Sequence, residues 1–302
     1  MVKKTIALMS ALALSLAAWA QTTTKSNDVV AFDNIEINSD FEVTFHQAEF
    51  YRVDYTFDTL LSDVVSVHVS GNTLYVSFNK KGMSSELKKT YKGRNASKPI
   101  LKVSVYAPNF SNLTLSENAV FDAMGNRIRA DVFQLTATDK ARVNNLSVEA
   151  ERAVLTLEKD AKAGMTVNAA QIEVHAGKAS ALEMLQYSDA LTITTTGSAS
   201  VTVSGETGDI VSNTQNSSKV TVSGFAESIR HDGKGSSEAD LLNVPIKTAE
   251  AVMANSSKLY LSVSDLLKVD LKGGSSVIFN GNPEIDVVNI ISSTLMHYSG
   301  KK

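Results

Sequence analysis

The chain has 302 residues, with 29 Lys and Arg against 32 Asp and Glu, a formal net charge of −3, and no cysteine. That balance argues against a nucleic-acid binder, which needs a broad basic face, and the missing thiols exclude disulfides and a cysteine-borne lipid anchor. Stability must then rest on packing, and a chain this long can bury a sizeable core.

Lys3 and Lys4 precede an apolar run, residues 6–18, that closes on Ala18-Trp19-Ala20. A basic start, a short apolar stretch and an A-x-A site read as a secretory signal over residues 1–20, with the mature protein beginning at Gln21. The run is shorter than the roughly 20 residues a membrane helix needs. The other apolar segments are strand-sized, about 4–6 residues, too short for the strands of a lipid-facing barrel. The expectation is an exported protein of the periplasm or cell surface, or a secreted one, with no membrane span once the signal is cleaved.

Residues 21–108 read as an N-terminal β-strand region. Apolar and polar residues alternate through Phe32, Ile35 and Ile37, then Phe41, Val43 and Phe45, then Val53, Tyr55 and Phe57, then Val65, Val67 and Val69, then Leu74, Val76 and Phe78, and last Leu101, Val103 and Val105. Period two marks strands with one buried face, and Gly71-Asn72 between two of these runs reads as a hairpin turn. Residues 79–98 form a polar insert carrying Lys80, Lys81, Lys88, Lys89, Lys92, Arg94 and Lys98 against Glu86 alone, expected to be a mobile loop able to touch an anionic polymer. Pro108 ends the last run.

Residues 109–302 are repetitive. A small residue returns at Ala119, Ala141, Ala161, Ala179, Ala199, Ser218, Ser237, Ser257 and Ser275, at intervals of 18 to 22. In the last six copies Gly or Asn stands two places earlier (Gly177, Gly197, Asn216, Gly235, Asn255, Gly273), residues that reach positive φ at low cost. Each turn is followed by a short alternating strand, as in Val201 and Val203, Val220 and Val222, or Leu259 and Leu261. Such units stack as rungs of a solenoid at about 4.8 Å per strand, so nine rungs make a rod on the order of 40 Å. The leucine-rich pattern and the GGxGxD of calcium rolls are missing, and the Gly, Asn, Ser, Thr and Val of the coils disfavour helical repeats. The fold class expected is an all-β, right-handed β-helix-like solenoid, its N-terminal strands capping or joining it and the segment after Pro283, with Ile285, Val287, Ile290 and Ile291, closing the far end. One continuous domain over residues 28–302 is the alternative division. At each corner the small residue answers a need for room, and a serine there can satisfy a backbone group of the neighbouring rung.

The chain resembles the auto-transporter adhesin, head GIN domain family over nearly all of its mature length. The resemblance is carried by Phe32-Asp-Asn-Ile-Glu-Ile37, Phe41-Glu-Val-Thr-Phe-His-Gln47, Gly71-Asn-Thr-Leu-Tyr-Val76, the strand-to-proline junction Val103-Ser-Val-Tyr-Ala-Pro108, and Gly197 to Val201. It departs where the family has Ser-Gly-Ser-Gly after that junction and this chain has Ser116-Glu-Asn-Ala119, so the first rung is expected to turn differently. The resemblance implies a β-helical, non-enzymatic exported protein and supplies no binding residues.

Five histidines, His46, His68, His175, His231 and His297, share no metal-ligand spacing, so no metal and no cofactor are expected. Asp209, Asp232 and Asp240 could supply the carboxylates of a β-helix hydrolase, but they stand among Gly and Ser, where Asp is common for local hydrogen bonding in turns, and that is the favoured reading. The residue after the small one is expected to face outward from Ala141 onward: Arg142, Lys162, Ser180, Ser200, Lys219, Glu238, Lys258 and Ser276. Lys219, Glu238 and Lys258 alternate in sign up one face, which suits either cross-rung ion pairing or contact with an anionic glycan. The partners expected are a glycan or an envelope protein. The favoured function is an exported adhesin, and the alternatives are a polysaccharide-active enzyme and a periplasmic scaffold.

Overall fold

The computed structural model describes residues 22–92, 96 and 98–298, and the signal read over residues 1–20 lies outside them. The chain is 69% strand and winds into a β-solenoid of about ten turns with an N-terminal strand region, the all-β architecture its repeats specify.

One coil shows how the sequence builds the rod. The strand Ser200–Thr214 bends midway, and its buried residues are Val201, Val203, Thr207, Ile210, Ser212 and Thr214. Period two holds on each arm and slips at the bend, so both arms turn their apolar side chains inward. The next coil, Lys219–Gly233, pairs with it in parallel, Val201 opposite Val220 and Ile210 opposite Ile229. Stacking like on like gives one core, continuous from Phe32 to Phe279.

The corners are made by a turn whose buried small residue is Ala119, Ala141, Ala161, Ser180, Ala199, Ser218, Ser237, Ser257 and Ser275, each at most 1% exposed. The fourth copy corrects the sequence reading by one position. Ser180, expected to face outward, is the buried corner, and the turn closes from its N–H to the carbonyl of Gly177. Ala179 is exposed. The positive-φ residue of that turn is accordingly Lys178 (φ 57), and the earlier turns use Glu117, Asp139 and Lys159 in the same way. Gly and Asn take this position from Gly197 onward.

The N-terminal strands run directly into the first coil. Asn34–Asn38 lies in parallel between Thr73–Phe78 and Asn112–Ser116, and Glu42–Gln47 lies between Leu101–Ala107 and Val120–Asp122. Edge-to-face contacts of Phe110 with Phe45 and Phe121, at 5.0 and 5.7 Å between centroids, fill the interior there. Antiparallel strands finish this end. Val65–Ser70 folds back on Thr73–Phe78 through the turn read at Gly71-Asn72, with Gly71 at φ 58, and Thr22–Asp28 lies outermost on Arg52–Asp58.

The basic insert is not a free loop over its described part. It holds a turn at Lys80–Gly82 and a helix at Ser85–Thr90 whose first turn is capped by the Ser84 hydroxyl, which accepts from the Leu87 N–H at 3.2 Å. Lys80 bridges Asp40 at 3.0 Å and Glu117 at 2.6 Å, and the Tyr91 hydroxyl donates to Asp58 at 3.0 Å. Burial and that carboxylate neighbour push the Tyr91 phenol up to about 12. Residues 93–95 and 97 of the insert lie outside the described residues.

At the other end the segment expected to close the solenoid adds a rung to it. Glu284–Ile291 pairs in parallel with residues 266–272 as one more rung. Ile285, Val287, Ile290 and Ile291 are exposed, and no described segment lies over them.

Candidate functional site: a groove at the second bend

The midway bend of each coil carries residues that do not repeat. In register along the rod stand Asn168, Tyr187, Glu206 and Phe225. Tyr187 and Phe225 are 46% and 43% exposed, which sets them apart from the aromatic rings of the core. Two rung spacings separate them, roughly 10 Å, with the Glu206 carboxylate on the rung between. Around them lies an open groove of about 560 Å³ lined also by Ser188, Asp189, Thr207, Gly208 and Glu227.

Glycines precede Glu206 and Phe225 in the chain and bring adjacent rungs close together. Gly205 and Gly224 sit at φ +123 and +119, and a Cβ on Gly224 would lie 1.9 Å from the carbonyl oxygen of Gly205. Only glycine fits such an approach. Beside it the Ser188 hydroxyl donates to Gln186 Oε1 at 2.7 Å and lies 3.0 Å from Thr207 Oγ1, tying the bends of adjacent rungs together. Asp189, Glu206 and Glu227 are all exposed, and Glu227 is met by Lys247 at 3.4 Å. Lys and Arg do not line the groove. Rigid aromatic faces beside hydrogen-bond acceptors form a surface for a ligand with both an apolar face and a hydroxyl rim.

The residues singled out by sequence lie elsewhere. Lys219, Glu238 and Lys258 are in register on the arm that follows the corner, and Lys219 Nζ meets Glu238 Oε1 at 2.8 Å. The hydrogen bond from Lys219 to Glu238 holds the ammonium above its ordinary pKa. Asp209, Asp232 and Asp240 are not brought together: Asp209 accepts from Ser228 at 2.6 Å, Asp232 pairs with Lys234 at 3.1 Å, and Asp240 accepts from the Leu242 N–H at 3.2 Å. Among the described residues no three His, Asp or Glu side chains gather as a metal site. His231 is wholly buried, and burial lowers its pKa to about 4. Sequence reasoning missed Tyr187, Glu206 and Phe225 because it sought what repeats. Their signal was the common spacing of nineteen residues joining three unlike residues.

The family model described as putative auto-transporter adhesin, head GIN domain, matches residues 31–187 and again 143–283. The chain belongs to this family. The two matches overlap, as they should where one coil is built like the next. Among solved structures, a putative adhesin from Parabacteroides distasonis aligns at 15% identity and TM-score 0.52, covering 92% of this chain and 98% of that one. A putative adhesin from Parabacteroides merdae aligns at 14% identity and TM-score 0.52, with 92% and 97% covered. At these identities the likeness shows a shared fold. Curated proteins include no match to this chain. No helix among the described residues is long and apolar enough to cross a membrane.

Proposed function

We propose that this member of the adhesin family is exported and non-enzymatic, and that it holds a neutral glycan chain in the groove at the second bend. Tyr187 and Phe225 serve as stacking platforms for the C–H faces of sugar rings, and Asp189 and Glu206 accept hydrogen bonds from ring hydroxyls. The observation that carries this reading is the exposure of two aromatic rings on either side of a carboxylate, with Glu206 and Phe225 each following a glycine held tightly against the neighbouring rung. Asp189 and Glu206 line the groove without a Lys or Arg in its lining and repel a polyanion, so the groove favours an uncharged polymer over the anionic glycan considered for Lys219 and Lys258. The same carboxylates are solvent-exposed, whereas a general acid is armed by burial, which supports binding over hydrolysis. Export is supported by the leader-like residues 1–20 and by the family's character.

A glycan array tests the reading. The Tyr187→Ala/Phe225→Ala double variant is expected to lose retention at least tenfold, and Lys219→Glu/Lys258→Glu is expected to keep it. Unchanged retention by the aromatic variant would sink the groove assignment. Loss only in the lysine variant would move the site to that face.

A further inference from the structure

The two ends of the solenoid finish differently. The N-terminal end closes on two antiparallel edge strands, Thr22–Asp28, which reads Thr-Thr-Thr-Lys-Ser-Asn-Asp, and Val65–Ser70, whose Val65, Val67 and Val69 pack against the core. A polar edge with a lysine is how sheets discourage further pairing. The C-terminal end has no such cover among the described residues. Its last rung turns Ile285, Val287 and Ile290 toward the axis, in register with buried Leu267, Val269 and Leu271, yet the three are 41%, 49% and 41% exposed. On the facing strand, Thr294–His297, Leu295 lies in register with buried Val277 and is only partly covered. The core is cut open here, beside a strand edge whose backbone groups meet no further strand among the described residues.

We infer that this end is a self-association surface, occupied by the same end of a second copy around a two-fold axis. The sequence of the edge strand is what commits it to itself. Antiparallel pairing of Glu284–Ile291 with its own copy, centred between Val287 and Val288, sets Ile285 opposite Ile290, Asp286 opposite Asn289 and Glu284 opposite Ile291. No carboxylate then faces a carboxylate, the arrangement that would oppose pairing. The ladder to the rung below slips at Val288, between the pairs Val269/Val287 and Asp270/Asn289. That slip puts Ile285 and Ile290 on the same, inward side although their numbers differ in parity. The chosen register therefore joins inward residue to inward residue, and the two cores become one. Neither N-terminal edge offers such a match, since Thr22–Asp28 is polar and Val65–Ser70 already turns its valines onto the core, so the contact closes as a dimer and does not propagate into a filament.

The test uses sedimentation velocity on the full chain from about 1 to 100 µM, the range in which modest interfaces populate. Wild type is expected to reach twice the monomer mass. Ile285→Lys/Ile290→Lys and Ile285→Glu/Ile290→Glu should each be monomeric, because each places like charges opposite one another at both contacts. Mixed in equal amounts, the two should restore the double mass. Val288→Cys, the sole cysteine of its chain, should be trapped as a covalent pair by a short bis-maleimide, which tests the contact even if the doubly charged variants fold poorly. A monomeric wild type with no trapped pair, filaments in place of dimers, or charged variants that still dimerise singly would each overturn the inference.

Discussion

A Cβ placed on Gly205 would lie 1.8 Å from the carbonyl oxygen of Gln186 on the rung below. The atom it meets is backbone, held by the ladder of both rungs, so neither side can give way. Gly205→Ala is expected to destabilise the fold by roughly 3 kcal/mol or more, combining overpacking with a backbone conformation closed to side chains. At Gly71, where φ is +58 and nothing lies within 4 Å of an added Cβ, the same exchange should cost only about 1 kcal/mol. Urea denaturation of the two variants checks the contrast, and equal losses would mean that the bend is not as tight as described.

The corner serines differ in what their hydroxyls reach. Ser237 Oγ lies 3.0 Å from Thr214 Oγ1 and 3.2 Å from the Thr214 carbonyl, and Ser257 donates to the Gly233 carbonyl at 2.9 Å. Ser180 Oγ is buried without a hydrogen-bond partner. Ser237→Ala should therefore cost about 1–3 kcal/mol, since it strips a partner from a buried hydroxyl. Ser180→Ala removes an orphan and should be neutral or stabilising. Thermal melts that rank the two in the opposite order would contradict the hydrogen bonding described.

How much of this was legible depends on whether a residue repeats. The corner column and the Val or Leu pairs after it recur because every coil has the same interior, so period alone located them. It failed by one position at Ala179 and Ser180, where two small residues adjoin and Gly177 happens to stand two places before the wrong one. The groove stayed hidden for the converse reason. Asn168, Tyr187, Glu206 and Phe225 share a column in which no residue type repeats from one rung to the next, and outward positions are free to differ. Lys80 was read as part of a loose basic run because its partners Asp40 and Glu117 are distant in sequence. Alternation identified Ile285 to Ile291 as strand, but it cannot tell whether another rung lies above.

His231 should make stability fall on mild acidification. Its ring is fully buried, with Nε2 3.4 Å from Thr214 Oγ1, and burial lowers its pKa from 6.5 to about 4. Between those values the unfolded chain binds a proton that the folded chain refuses, so stability drops as pH falls from about 6.5 toward 4 and this contribution levels off below. The full effect is on the order of 3 kcal/mol. His231→Leu should remove that slope while leaving the carboxylate-driven loss at lower pH. Denaturation midpoints measured at intervals from pH 7.5 to 4 for both chains check it, and parallel curves would show that His231 takes up its proton without unfolding.

The left-handed turn residues offer a test in which strain and contacts compete. Lys178, exposed at φ 57, bears a strain of about 1–2 kcal/mol that glycine would relieve, against about 0.4–1 kcal/mol of added freedom in the unfolded chain. Lys178→Gly should stabilise by about 0.5–1 kcal/mol, the difference between those terms. Glu117 sits at φ 58 in the turn that departs from the family's Ser-Gly-Ser-Gly, but its carboxylate accepts from Ser39 at 3.0 Å and from Lys80 at 2.6 Å. Ser39 is fully buried, so Glu117→Gly would orphan its hydroxyl at a cost of about 1–3 kcal/mol and loosen the insert, leaving Lys80 with Asp40 alone. That exchange should destabilise, and it should speed proteolysis at the exposed lysines of residues 80–92. A gain in stability at Glu117 to match that at Lys178 would show that the local turn outweighs the contacts its side chain makes.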